Sequence, residues 1–174
     1  MCLRIAERIF VPVLGLFLFL FITFPARSQA YRQYSDGFLF DRIQADPVAR
    51  ILADYGIKLI LVSQPSGADM ILGRWDKTSK TIFVYVRDQV SVDNSLVTLY
   101  HEAIHVAQWC YGVKSHSSSS LPLGLFVDDF SREMFAGGRR SGFYRDSQSE
   151  LEPEAYALES RPDDVITLLR LHCG

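Results

Sequence analysis

Apolar residues fall first into one block, Ile9–Phe24, a nearly unbroken run of sixteen. Beyond it the pattern becomes periodic. Val48, Ile51 and Leu52 follow Asp46-Pro47, an N-cap with proline at the first helical position, and Gly56 closes that helix. Ile57–Val62 is apolar and β-rich, and Gln64–Gly67 reads as a turn. Two more strands, Met70–Trp75 and Thr81–Arg87, flank Asp76–Lys80. In the second, Ile82, Val84 and Val86 alternate with Thr81, Phe83, Tyr85 and Arg87, as in a half-buried strand. A long helix is predicted over Ser95–Tyr111, capped by Asp93 or Asn94 and ended by Gly112. After the polar loop Ser115–Ser120 a helix is expected over 124–136, ending at Gly137-Gly138, and then a loop over 139–148. Glu150–Ser160 and Asp163–Leu171 read as two closing helices. A small, mostly antiparallel sheet followed by helices makes an α+β domain.

At 174 residues the chain holds one ordinary domain. Its N-terminal block changes the picture. Arg4 and Arg8 precede the apolar run, and Ser28 and Ala30 supply small residues at its end, the pattern of a signal peptide cleaved after Ala30. The rival reading is a membrane anchor over residues 9–24, which is short against the roughly 20 residues a span needs. Either way, residues 31–174 are delivered outside the cytoplasm, periplasmic or secreted. Removing Arg4, Arg8, Arg27 and Glu7 from the 18 basic and 20 acidic residues leaves 15 against 19. That balance gives no affinity for nucleic acid, nor for a membrane beyond the possible anchor. Cys110 and Cys173 remain as a candidate disulfide in an oxidising compartment; the bland alternative is two buried thiols.

Chemistry is concentrated at His101-Glu102-Ala103-Ile104-His105, an H-E-x-x-H sequence on the long helix. Residues four apart share a helical face, so both imidazoles reach one ion. Glu102 points about 100° away from His101, outside the ligand position yet close enough to take a proton from water at the ion. Thr98, Leu99, Ala103, Ile104, Val106 and Ala107 make the surrounding helix uncharged. Ionisable groups in such a setting need a partner, and a metal is the simplest one. The alternative is a hydrogen-bonded histidine pair with Glu102 in a salt bridge. The third ligand is not a metzincin histidine, because Gln108 and Tyr111 stand where that class requires Gly and His. His116, in the serine run, and His172, at the C-terminus, are poor places for a fixed ligand.

Glu152-Pro153-Glu154-Ala155 matches an E-x-x-A pattern, and with it the chain resembles the gluzincin metallopeptidases, whose second helix supplies a glutamate ligand. The resemblance covers two short motifs. It implies a minimal zincin-like fold and one Zn²⁺ per chain, held by His101, His105 and Glu152, with Glu102 as general base. Glu150 and Glu154 stay open as alternatives to Glu152. The chain departs from the common gluzincin pattern in carrying Tyr156, not an acid, four residues after Glu152. Tyr156, Tyr100 and Tyr111 are candidate oxyanion donors. Thr81–Arg87 is the candidate edge strand for pairing with substrate backbone; its plain reading is a core strand. The function expected is that of an exported zinc-dependent peptidase acting on a peptide or protein. The alternative is a non-catalytic or latent exported zinc-binding domain.

Overall fold

The computed structural model describes residues 32–33, 37–63, 71–86, 91–142, 144 and 149–174. The expected targeting segment 1–30, the Gln64–Gly67 turn, the strand ends at Met70 and Arg87, and half of loop 139–148 lie outside the described residues.

The elements run β1 (Arg32–Gln33), α1 (Gly37–Gln44), α2 (Pro47–Asp54), β2 (Lys58–Ser63), β3 (Gly73–Asp76), β4 (Thr81–Val86), α3 (Val92–Lys114), α4 (Asp129–Arg140), α5 (Leu151–Leu158) and α6 (Pro162–Cys173). The class is α+β. Asp46 caps α2, its Oδ1 accepting the Val48 N–H at 2.8 Å. Its Oδ2 accepts the Tyr100 hydroxyl at 2.8 Å, tying α2 to α3.

The sheet is mixed: two of its three pairings are antiparallel, as expected, and the central one is parallel, which was not. Its order is β1-β2-β4-β3: β2 pairs with β4 in parallel, and β1 with β2 and β3 with β4 antiparallel. Sequence composition explains the order. β4 buries Thr81, Ile82, Val84, Tyr85 and Val86, so both its faces are covered and it belongs inside the sheet. β3 carries Gly73, Arg74 and Asp76, residues suited to an edge. The candidate edge strand, seen as Thr81–Val86, is therefore an interior strand, its plain reading; the edges are β1 and β3. The β3–β4 turn is fixed by Asp76, which accepts from the Thr78 N–H at 3.0 Å and the Ser79 hydroxyl at 2.9 Å.

α3 is the central helix and packs against β3, β4, α5 and α6. It starts earlier than expected because Ser91 is the cap, its Oγ accepting the Asn94 N–H at 3.2 Å. It also runs through Gly112. That glycine does not end the helix; it lets the Ser119 carbonyl lie against the backbone, where a Cβ would collide. α4 starts at Asp129, later than expected, because Asp128 is its cap, its Oδ1 accepting the Ser131 N–H at 2.7 Å; the preceding Leu123 and Leu125 N–H groups are bonded to Glu154. It continues past Gly137-Gly138, and the Tyr144 ring occupies the space a Cβ on Gly138 would need. The core joins Leu39 and Ile43 of α1, Val48 and Leu52 of α2, the β2 and β4 apolar residues, and Leu99, Ala103, Ile104, Val106 and Ala107 of α3 with Val165 and Leu169 of α6. A Cys110–Cys173 disulfide, Cα atoms 5.1 Å apart, fastens α6 to α3. Among the described residues, no helix is long and apolar enough to cross a membrane.

Candidate metal centre

α3 and α5 pack side by side, with Ala103 and Ala155 fully buried. Small residues there allow close approach, which brings the acidic first turn of α5 to the histidine face of α3. Glu152 Oε2 lies 3.2 Å from His101 Nε2, and Glu152 Oε1 lies 3.4 Å from His105 Nε2. One ligand atom from each of the three residues fits within 4.8 Å of the others. Tetrahedral bonds of about 2.0–2.1 Å to one ion place neighbouring ligand atoms about 3.3 Å apart, so both spacings suit two ligands on one divalent cation.

The outward ring nitrogens set the tautomers. His101 Nδ1 lies 2.9 Å from Glu159 Oε2, and a carboxylate accepts, so Nδ1 carries the hydrogen. His105 Nδ1 lies 2.8 Å from Gln108 Oε1 and donates to it. Both Nε2 atoms thereby face Glu152; they donate to it as imidazolium, and a cation would displace those protons, the arrangement that supports metal-ligating histidines. Gln108 is itself fixed, its Nε2 donating to the Leu151 carbonyl at 2.9 Å and Glu154 Oε2 at 3.0 Å.

Charge follows geometry. Burial pulls the His101 imidazole down, but the Glu152, Glu159 and Glu102 carboxylates outweigh it and hold the group up at about 10. Burial likewise opposes the His105 imidazolium, and Glu152 raises it on balance. Burial pushes Glu152 up, and the two imidazoles overcome that to bring it down to about 2. The cluster favours positive charge at its centre, which a divalent cation supplies. Donor set, spacing and tautomers all fit such an ion.

Glu102 is buried, 7% exposed, beside this cluster and beneath the edge strand. A Cβ built on Gly73 would stand 2.8 Å from its Oε1, and the Trp75 backbone hydrogen-bonds to it. Burial pushes its carboxyl up, against the pull of His105 and His101. A cleft of about 720 Å³ opens over His101, Glu102, His105 and Glu152, with Ile71–Trp75 along one side and Met134, Gly137 and Gly138 of α4 along the other. Of the three tyrosine candidates, Tyr156 lines this cleft, its ring 4.8 Å from that of His101 and its hydroxyl 2.5 Å from that of Tyr144. Tyr100 is committed to Asp46, and Tyr111 meets His172 edge to face at the far end of α3.

The other candidate ligands are elsewhere. Glu150 is exposed at the start of α5. Glu154 accepts from Leu123 N–H, Leu125 N–H and Gln108. His116 is exposed in the serine loop. Sequence reasoning missed Glu159 and Gln108. Both carried a signal: Glu159 follows Glu152 by two helical turns, and Gln108 follows His105 by three residues on an otherwise apolar helix. No family model, no curated protein and no solved structure matches this chain.

Proposed function

We propose that the chain is an exported zinc-dependent peptidase of gluzincin type, with a minimal zincin-like domain over residues 31–174. The observation that carries this reading is Glu152 set 3.2 Å and 3.4 Å from the inward nitrogens of His101 and His105, with the Glu102 carboxylate left over in the same cleft. A purely structural site has no use for that fourth group. His101, His105 and Glu152 would hold the ion, leaving one position open to the cleft. Zinc bound there activates water near neutral pH and polarises the scissile carbonyl. Glu102 takes the proton from the attacking water and returns it to the leaving amine; its raised carboxyl suits both transfers. Tyr156 lines the cleft with its hydroxyl against that of Tyr144, and in this reading it donates to the developing oxyanion. The outer edge of β3 offers backbone groups to an extended substrate segment. The Cys110–Cys173 disulfide suits a compartment outside the cytoplasm.

The test is hydrolysis of an unfolded protein by the zinc-supplied chain beside Glu102→Gln. Activity in the wild type that falls about 10²–10⁴-fold in the variant, at equal zinc content, supports the reading. Zinc binding with no hydrolysis in either would leave a non-catalytic or latent zinc-binding domain.

A further inference from the structure

We propose that Glu154 is a positioning residue that couples the metal centre to the segment 121–128 forming the approach to α4. The inference rests on the zinc reading above and concerns residues that bind no metal. Glu154 is 3% exposed, stands outside the His101–His105–Glu152 cluster, and has its carboxylate satisfied by three donors. Oε2 accepts from Gln108 Nε2 at 3.0 Å and Leu123 N–H at 2.8 Å, and Oε1 accepts from Leu125 N–H at 2.9 Å.

Gln108 is fully buried, so its amide has one good orientation. Two acceptors, Glu154 Oε2 and the Leu151 carbonyl, hold its NH₂ group. Its oxygen is thereby turned toward His105, which must carry its hydrogen on Nδ1 and present Nε2 inward. Flipping the amide would set NH₂ against Nδ1–H and an oxygen against a carboxylate. Glu154 therefore fixes the His105 tautomer through Gln108. The same carboxylate holds the Leu123 and Leu125 N–H groups, which anchors the segment that leads into the Asp128 cap of α4. α4 in turn lines the cleft through Glu133, Met134, Gly137 and Gly138. One buried side chain thus serves a ligand histidine and a cleft wall.

The experiment compares the full chain with Glu154→Gln and Gln108→Met. It reads zinc affinity, the imidazole Nδ1–H resonances of the zinc-loaded protein, and amide exchange at Leu123 and Leu125. Glu154→Gln is expected to weaken zinc binding about 10–100-fold. It should shift the His105 Nδ1–H signal and speed its exchange, leave that of His101 on Glu159 in place, and speed exchange at Leu123 and Leu125. Gln108→Met should weaken zinc similarly and keep the Leu123 and Leu125 protection. Unchanged zinc affinity with an unchanged His105 signal in Glu154→Gln overturns the coupling and leaves the metal centre standing. Equal disturbance of both histidine signals also overturns it, since general loosening would act on both. A wild type that takes no zinc overturns the metal centre itself and the positioning role with it.

Discussion

The Nδ1–H of His101 donates to Glu159 Oε2 at 2.9 Å, two turns beyond the Glu152 carboxylate that faces the other nitrogen of the same ring. Glu159 orients the ring and makes Nε2 a better donor. Glu159→Gln keeps a hydrogen-bond acceptor and loses the charge; Glu159→Ala loses both. Zinc affinity is expected to fall about 10-fold in the first and about 100-fold in the second, read by competition with a chelating dye.

The metal-free chain should show a stability that falls with rising pH. The folded His101 imidazolium is held up at about 10 against an ordinary 6.5, so its contribution is complete below 6.5 and is lost as pH rises through 10. His105, also raised, adds in the same direction. At the acid end Glu152, at about 2 against 4.5, contributes above 4.5 and loses its effect as pH falls toward 2. Zinc requires neutral imidazoles, so its binding displaces those protons. The melting-temperature gap between zinc-loaded and chelated protein should therefore widen from pH 6.5 to 9. A gap that narrows would contradict the assignment.

Gly73 sits where β3 crosses α3. A Cβ there would stand 2.6 Å from Thr98 Cγ2 and 2.8 Å from Glu102 Oε1. Gly73→Ala should cost about 1–3 kcal/mol through overpacking. By moving the edge strand off Glu102 it should also lower peptidase activity while zinc content holds. Denaturant titration, with a parallel activity and metal assay, checks both.

Much of this arrangement was legible in the sequence, and the misses have physical causes. The Asp46 cap, the H-E-x-x-H helix and the apolar strands are local signals, and α2, α3, β2 and β4 follow them. Sheet order is not local. Placing β4 inside required knowing that β2 and β3 pair along its two edges, which alternation alone does not reveal. The glycines at 112 and 138 read as helix ends, because close approach by Ser119 and Tyr144 is a tertiary fact. Glu154 read as one more acid in a helix N-terminus, since its Leu123 and Leu125 partners lie about thirty residues away. The gluzincin likeness drew attention to the position four after Glu152, where Tyr156 stands; the carboxylate on His101 is Glu159, one turn further.

The Cys110–Cys173 bridge spans 63 residues of sequence and joins the C-terminal ends of α3 and α6. Its removal in the double Cys→Ser variant should lower unfolding free energy by about 4 kcal/mol on the chain-entropy account. Urea denaturation of the two forms measures it. A loss under about 1 kcal/mol would mean the packing of α6 on α3 suffices without the bridge.

Zinc stoichiometry of the full chain tests the central claim most directly, measured by mass spectrometry after zinc loading and dialysis, beside His105→Ala and Glu152→Ala. The account predicts about one zinc per wild-type chain, lost in His105→Ala and weakened in Glu152→Ala. A folded wild type that carries no zinc would contradict it.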